Sequence, residues 1–384
     1  MAPVVIDVNG AEDTRDVVHR AVEALAAGKL VAFPTETVYG VAASALNPDA
    51  VEHLIEAKGR AANNPFTLAI KSADDAQDYV PGMSPLAYRL ARRCWPGPVT
   101  LVLRDNCDDS LTRQLPPTVK NAVCPNGTIG LRVPHHPLIL DVLRISRGPL
   151  ALTSANRSGQ KDAVTAKQVV DALGDNVELV LDDGKCKFGQ PSSVIQIEDH
   201  HCKLLRSGVI NAQTLRRLMN FMALIVCTGN TCRSPMAEAL LKKRFADRLQ
   251  VDMDQLEDAG VLVMSAGLAA SSGSAATMEA HEAVKSRGLD LSQHASQPIS
   301  ERLVNYADLI LTMTRGHRDA ILTSIPAASG RTHLLCRDGA DVSDPIGGPP
   351  ELYERCAAQI DSQLEEWVNT LDLEQLVCTE VSGA

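Results

Sequence analysis

The sequence predicts an α/β chain of two domains, and three observations carry that expectation. Its 384 residues are long for a single core and suit two units of about 150–200 residues each. Up to about residue 210, short apolar runs alternate with stretches of helical periodicity, the pattern of a sheet with helices rather than of a bundle. From Met222 onward the alternation becomes a regular strand–helix repeat, which implies crossover connections and a parallel, doubly wound sheet. The expected division is a first domain over residues 1–210, a linker over 211–221 and a second domain over 222–384.

In the first domain the apolar runs Leu30–Phe33, Phe66–Ile70, Val99–Leu103, Ile129–Val133, Leu150–Thr153, Leu179–Leu181, Ser193–Ile197 and Lys203–Leu205 read as strands. Helical spacing appears over Thr14–Ala27, Ala50–Lys58, Pro85–Cys94, Pro137–Leu143 and Thr165–Leu173; Thr165 would cap the last, with Gly174 just past its end. Residues 211–220, with Arg216, Arg217, Leu215 and Leu218, read as a short polar helix or linker. The second domain offers strands at 222–226, Val261–Ser265, Leu309–Met313 and Thr332–Leu334. Its helices are expected at 234–244, Thr277–Arg287, His317–Ile325 and Pro350–Leu371.

Composition excludes several functions. Aromatics make up 3% of the chain, too few for the stacking platforms of single-strand nucleic-acid binders, and a net charge of −10 argues against broad nonspecific DNA binding. Ten cysteines lack any Cys-x2-Cys spacing, so no zinc site or other tightly held metal is expected, and a reducing compartment fits. No apolar run approaches the ~18 residues of a membrane span, and the first residues do not resemble a signal segment. The expected location is cytoplasmic, without a membrane partner.

The densest chemistry lies in Val226-Cys-Thr-Gly-Asn-Thr-Cys-Arg-Ser-Pro235. An apolar strand runs into this loop and a helix follows, with Ser234 placed to cap and Pro235 in the first turn. Such a loop turns backbone N–H groups inward at the positive end of a helix, a ready anion site. Cys227 at its start, with those dipoles and Arg233 nearby, is placed to act as a thiolate nucleophile facing a bound phosphate. The loop Thr228, Gly229, Asn230, Thr231, Cys232 and Ser234 would cradle that phosphate; the bland alternative is a structural cysteine in a strand-to-helix turn.

In the first domain, polar residues gather at strand and helix ends: Thr35, Lys58, Arg60, Arg132, Ser154, Asn156 and Arg206. Singly these suit turns and helix C-termini. Together, several cations with hydroxyl and amide donors suggest a polyanion pocket, as for a nucleoside triphosphate.

Val-Cys-x5-Arg-Ser-Pro-Met-Ala-Glu resembles the signature of the low-molecular-weight protein tyrosine phosphatases and their arginine phosphatase relatives. Ser265-Ala-Gly267, His294, Ala307–Met313 and Val342-Ser-Asp-Pro345 continue the resemblance, which implies that fold and a cysteinyl-phosphate mechanism. Cys227 and Arg233 would then be catalytic, with Asp344 as the general acid. Asn230 would buttress the loop, Ser234 would hydrogen-bond the thiolate, and Cys232 could form a reversible disulfide with Cys227 or simply pack. Thr231 and the lack of aromatics around the slot favour phosphoarginine over phosphotyrosine as the side chain on a phosphorylated protein substrate.

Residues 10–210 resemble the Sua5/YrdC/YciO family of L-threonylcarbamoyladenylate synthases. The resemblance rests on Pro34-Thr-Glu-Thr-Val-Tyr-Gly40, Lys58-x-Arg60 with Asn64-Pro65, Trp95–Thr100, Arg132-Val-Pro134, Ser154-x-Asn156, Pro191–Val194 and Leu205–Gly208. It implies a twisted mixed sheet around a basic cavity. The implied reaction takes L-threonine, bicarbonate and ATP, with Mg²⁺ accompanying the ATP, to threonylcarbamoyl-AMP and pyrophosphate for the t6A modification of tRNA. Partners would be the downstream t6A-transfer machinery and tRNA. Lys58, Arg60, Ser154, Asn156 and Arg206 would hold phosphates and nucleotide, and Thr35 and Arg132 would position threonine. Two departures stand out: Ala61 replaces a frequent proline, and the separate C-terminal domain of longer members is missing, so a short synthase unit joined to a phosphatase is expected. The alternative is a first domain that binds RNA or nucleotide without catalysis, beside a phosphotyrosine-directed phosphatase.

Overall fold

The computed structural model describes residues 2–59, 64–378 and 381–383. Internal contacts divide the chain into two compact units, Met1–Leu215 with Glu380–Ala384, and Arg216–Thr379.

Among the described residues of the first unit, ten strands share one mixed sheet: Val4–Asp7 (β1), Val31–Phe33 (β2), Gly40–Ser44 (β3), Thr67–Ala69 (β4), Val99–Arg104 (β5), Thr128–Arg132 (β6), Leu150–Ser154 (β7), Leu179–Asp182 (β8), Ser193–Glu198 (β9) and His201–Arg206 (β10). Their order is β1-β8-β2-β3-β7-β4-β6-β5-β9-β10, and Val381–Ser382 adds a short parallel strand beyond β10. The tail of the expected second domain therefore lies in the sheet of the first. Strands β1 and β3 are not among the expected ones; β1 is the apolar run Val4-Val5-Ile6, whereas β3 escapes the apolar-run criterion. Gly40-Val-Ala-Ala-Ser44 is built of small residues with weak strand preference, and its place comes from antiparallel pairing with β2 and β7.

Cross-strand partners share a face of a sheet. The registers Gly40↔Ser154, Thr67↔Leu152, Thr67↔Gly130, Val102↔Gly130 and Val102↔Gln196 carry one face across six strands. Toward β2 and β8, this face is covered by helices Thr14–Ala26 and Pro137–Ile145. Val17, Ala21, Leu25, Ile139 and Val142 pack there on Phe33, Leu150 and Leu179. Toward β4–β10 the same face lines a cavity. Helix Pro48–Lys58 is capped by Asn47, with Pro48 in the first turn, and ends at Gly59, whose φ of +57° is left-handed. That terminus fixes where the Lys58 side chain starts. Gly174, in contrast, is right-handed and opens a 3-10 turn, so it is no left-handed cap for the helix Ala166–Leu173.

Residues 211–221 are more structured than a linker: Ala212–Met219 is helical and buries Leu215 and Met219. The second unit is a four-stranded sheet, Phe221–Cys227 (β11), Val261–Gly267 (β12), Leu309–Thr312 (β13) and Thr332–Leu334 (β14), in the order β12-β11-β13-β14 with every pair parallel. Side chains of β11 alternate between two cores. Ala223 and Ile225 pack with the helices Arg233–Leu249 and Pro350–Thr370. Leu224 and Val226 pack toward Val304 and Ile321 of the helices Glu301–Tyr306 and Arg315–Ser324. Helices thus cover both faces, and the order reverses at β11, so ligand is expected beyond the carboxyl end of that strand. Cys227 is its last residue.

Candidate active sites

Thr35, Lys58, Arg132, Ser154, Asn156 and Arg206 all line a single cavity in the first unit, about 460 Å³ in volume. Arg60 and Ala61 lie outside the described residues. Lys58, at the end of its helix, is 4% exposed and reaches the loop after β7. Its ammonium donates to the Ser154 carbonyl at 2.6 Å, to Asn156 Oδ1 at 3.0 Å and to the Asn156 carbonyl. The Ser154 hydroxyl donates to the same Oδ1 at 2.6 Å, and Asn156 Nδ2 donates to the Gln160 carbonyl. The lysine therefore anchors the loop that carries two of the other predicted residues. Arg206 at the end of β10 donates to the Ser192 carbonyl and hydroxyl, which holds its guanidinium against the cavity wall.

Arg132 ends β6, is nearly buried, and donates through Nη2 to Glu36 Oε1 at 2.8 Å and Thr37 Oγ1 at 2.9 Å. The other Glu36 oxygen accepts the His135 N–H at 3.0 Å. Glu36 is not singled out by the sequence although it sits in the Pro34–Gly40 motif. A carboxylate flanked by two threonines reads as a turn until its partner, 96 residues away, is known. Thr35 Oγ1 donates to the Val38 carbonyl at 2.7 Å, shaping that turn so that it presents to the cavity.

In the second unit the predicted loop wraps the Cys227 sulfur. The Asn230 N–H donates to Sγ at 3.2 Å, and the Ser234 hydroxyl lies 2.9 Å from it. Asn230 adopts a left-handed φ of 55°, and its side chain is spent on structure. Nδ2 donates to Ser234 Oγ and Ser265 Oγ, and Oδ1 accepts the Gln297 N–H. Ser265 in turn donates to Glu238, and a ring nitrogen of His294 meets the Asn230 carbonyl at 2.8 Å. Gly267 closes the cradle from β12. A Cβ there would fall 2.5 Å from the Thr228 carbonyl oxygen, so any side chain pushes the loop outward.

The helix starts at Arg233, and no side chain caps it. Ser234 is therefore not the cap. It lies inside the first turn, where its hydroxyl serves Cys227 and Asn230 instead. The Arg233 guanidinium donates to the Val342 carbonyl at 3.2 Å and pairs with the Asp344 carboxylate, which brings the predicted acid over the loop. Thr231 and Cys232 face the loop's flank: the Thr277 N–H donates to the Thr231 carbonyl, and Cys232 Sγ lies 3.5 Å from Thr277 Oγ1. Both Cys227 and Cys232 are free thiols. Thr228 meets His317, a residue outside the predicted set, at 2.9 Å. Histidine in a helical first turn carries no signal of its own in the sequence.

A parallel sheet with a thiol cradled at its switch point is the arrangement of a cysteine-dependent phosphatase class, and a mixed sheet bearing a cation-lined cavity suits an anionic ligand. Residues 23–208 match the Sua5/YciO/YrdC family model, described as telomere recombination, and residues 222–376 match the low molecular weight phosphotyrosine protein phosphatase model. A threonylcarbamoyl-AMP synthase of Pyrococcus abyssi is 35% identical over 192 residues, 50% of this chain and 54% of that protein. The chain thus spans little more than half of the longer synthases, while it spans 84% of a putative synthase of Methanocaldococcus jannaschii at 33% identity over half its own length. A protein-arginine-phosphatase of Geobacillus stearothermophilus is 36% identical over 162 residues, 41% of this chain and the whole of that protein. The crystal structure of Pyrococcus abyssi Sua5 complexed with L-threonine superposes with a TM-score of 0.51 at 24% identity, covering 68% of this chain and 92% of the other. That likeness speaks for the fold alone. The chain belongs to the Sua5/YciO/YrdC family in its first half and to the low molecular weight phosphatase family in its second.

Proposed function

We propose that the chain is bifunctional. Its first unit makes L-threonylcarbamoyladenylate and pyrophosphate from L-threonine, bicarbonate and ATP, for the t6A modification of tRNA. Its second hydrolyses phosphorylated protein side chains, phosphoarginine in preference to phosphotyrosine. The convergence of six predicted polar residues on one cavity supports the first activity most.

Threonine's amine and bicarbonate condense to a carbamate with loss of water; a carbamate oxygen then attacks the α-phosphorus and pyrophosphate leaves. The barrier lies in bringing anions together and neutralising the leaving group, which positioned cations lower without a protein nucleophile. Arg206 holds phosphates, and Lys58, its ammonium hydrogens committed to the loop after β7, offers them its charge, with Ser154 and Asn156 on the nucleotide. Arg132, its orientation fixed by Glu36, and Thr35 position threonine and its carbamate. Mg²⁺ enters as the counterion of ATP. Among the described residues, no group of three His, Cys, Asp or Glu is arranged to hold a resident ion.

In the phosphatase unit the Cys227 sulfur attacks phosphorus, Asp344 protonates the departing guanidine nitrogen, and the cysteinyl-phosphate forms. Asp344 then takes a proton from the water that releases phosphate. Backbone N–H groups of the loop and Arg233 hold the phosphoryl oxygens throughout. The polar Thr231 of the loop favours a guanidinium over a phenyl ring, and no aromatic follows Asp-Pro, where Ile346 stands exposed. Ten cysteines scattered without paired spacing suit a reducing, cytoplasmic setting. Among the described residues no helix is long and apolar enough to cross a membrane.

Pyrophosphate release by the whole chain is expected to require threonine, bicarbonate and ATP together. A well-folded protein that releases none would reduce the first unit to a binding module. In parallel, faster turnover of a phosphotyrosine peptide than of a phosphoarginine peptide would overturn the arginine preference.

A further inference from the structure

His317 reaches the phosphatase loop from a different element. It lies in the first turn of Arg315–Ser324 and is 7% exposed. Thr314 caps this helix, its Oγ1 accepting the His317 backbone N–H at 3.3 Å. The same Oγ1 lies 3.0 Å from the ring's Nδ1, while Nε2 lies 2.9 Å from Oγ1 of Thr228, the exposed residue directly after the nucleophile. Both ring nitrogens thus face hydroxyls.

A neutral imidazole donates from one nitrogen and accepts at the other. If Nε2 accepted, the single hydroxyl hydrogen of Thr228 would be spent on the ring, and Thr228 could offer a phosphoryl oxygen only lone pairs. If Nε2 donates, Nδ1 accepts from the Thr314 hydroxyl, whose oxygen still accepts the backbone N–H, and the Thr228 hydrogen is free. Three charged groups act on the ring: Arg233 from the helix after the loop, and Asp344 and Asp341 from the segment before the closing helix. Burial first, and Arg233 second, hold this imidazole below its usual range, against the two carboxylates. The ring is therefore neutral at pH 7, and its tautomer decides what Thr228 can do.

We propose that His317 is a positioning residue of the phosphatase site: its Nε2–H donates to Thr228 and so aims the threonine hydroxyl, as a donor, at a phosphoryl oxygen of the substrate held over Cys227. This rests on the phosphatase reading but not on which side chain carries the phosphoryl group, since phosphoarginine and aryl phosphates present the same oxygens.

The test is a double-mutant comparison of kcat/KM on p-nitrophenyl phosphate and on a phosphoarginine peptide. Thr228→Val and His317→Leu should each lower it by about 10- to 100-fold, at or below the loss of one oxyanion donor. The double variant should be no worse than the poorer single one, and His317→Gln, which keeps a donor at similar reach, should recover most of the loss. Losses that multiply, as they would if leucine merely loosened the unit, overturn the assignment, and so does a glutamine variant as poor as leucine. Wild-type protein that turns over neither substrate overturns the phosphatase reading and this proposal with it.

Discussion

The two candidate sites prepare for anionic ligands by different routes. In the first unit the cations are side chains from distant segments, and each is tethered by the protein's own acceptors: Lys58 by the loop after β7, Arg132 by Glu36, Arg206 by Ser192. In the second, ten contiguous residues form the cradle. The Asn230 N–H points at the sulfur, and the Asn230 side chain is spent on holding the loop's shape. A dispersed site depends on the sheet that gathers it and on buried charge being paired. A contiguous one depends on the loop not moving.

This contrast can be broken or sharpened by experiment. Replacing Cys227 by Ser should lower phosphatase turnover by roughly 10⁴-fold or more, since nothing else supplies the nucleophile. Threonine-dependent pyrophosphate release should be unchanged. Parallel assays of both reactions on one preparation check this, and loss of both would mean that the sites are not independent. Arg132→Met should abolish synthase activity and also lower the unfolding free energy of the first unit by about 3–5 kcal/mol, because it strands the buried Glu36 carboxylate. Adding Glu36→Gln should restore much of the stability and none of the activity, which urea titration and the pyrophosphate assay separate.

Gly267→Ala is expected to cost about 1–3 kcal/mol, since its Cβ must displace the Thr228 carbonyl, and to slow the phosphatase while sparing the synthase. A pH titration should give the smallest difference. Burial holds His136 of the first unit, and His317 and His333 of the second, below the usual imidazole range. In the unfolded chain these rings protonate near pH ~6.5 while the folded ones stay neutral. The unfolded state thus binds more protons, and stability falls as pH drops through that value. With two such rings against one, the second unit should lose more, as read by thermal melts between pH 7.5 and 5.5.

Legibility from sequence follows the same contrast. The strand, loop and helix around Cys227 were readable because cause and effect lie within about twenty residues: an apolar strand, a tight turn, a helical run. What failed there was a local competition. Ser234 has the chemistry of a cap, but its hydroxyl is taken by Cys227, and the helix begins one residue earlier. In the first unit the polar clusters were visible at strand ends, yet their partners were not. Glu36 is distinguished by Arg132 across 96 residues, and no spacing rule reports that. Strand β3 was invisible because alanine and glycine carry little strand preference, and only its two neighbours hold it in place. His317 was invisible because its meaning comes from Thr228, 89 residues earlier.

One small feature bears on how the protein is handled. Cys202 and Lys203 of β10 pair with Val381 and Ser382, and β10 ends at Arg206 in the cavity wall. Val381 and Ser382 therefore pair with the strand that ends in the cavity wall of the first unit. An affinity tag or fluorescent fusion appended there, chosen to leave the first unit alone, would instead load the edge of its sheet. Trimming the tail before Val381 would bare the backbone of β10 to strand-seeking neighbours, so solubility and synthase assays are the readouts by which to choose an end for labelling.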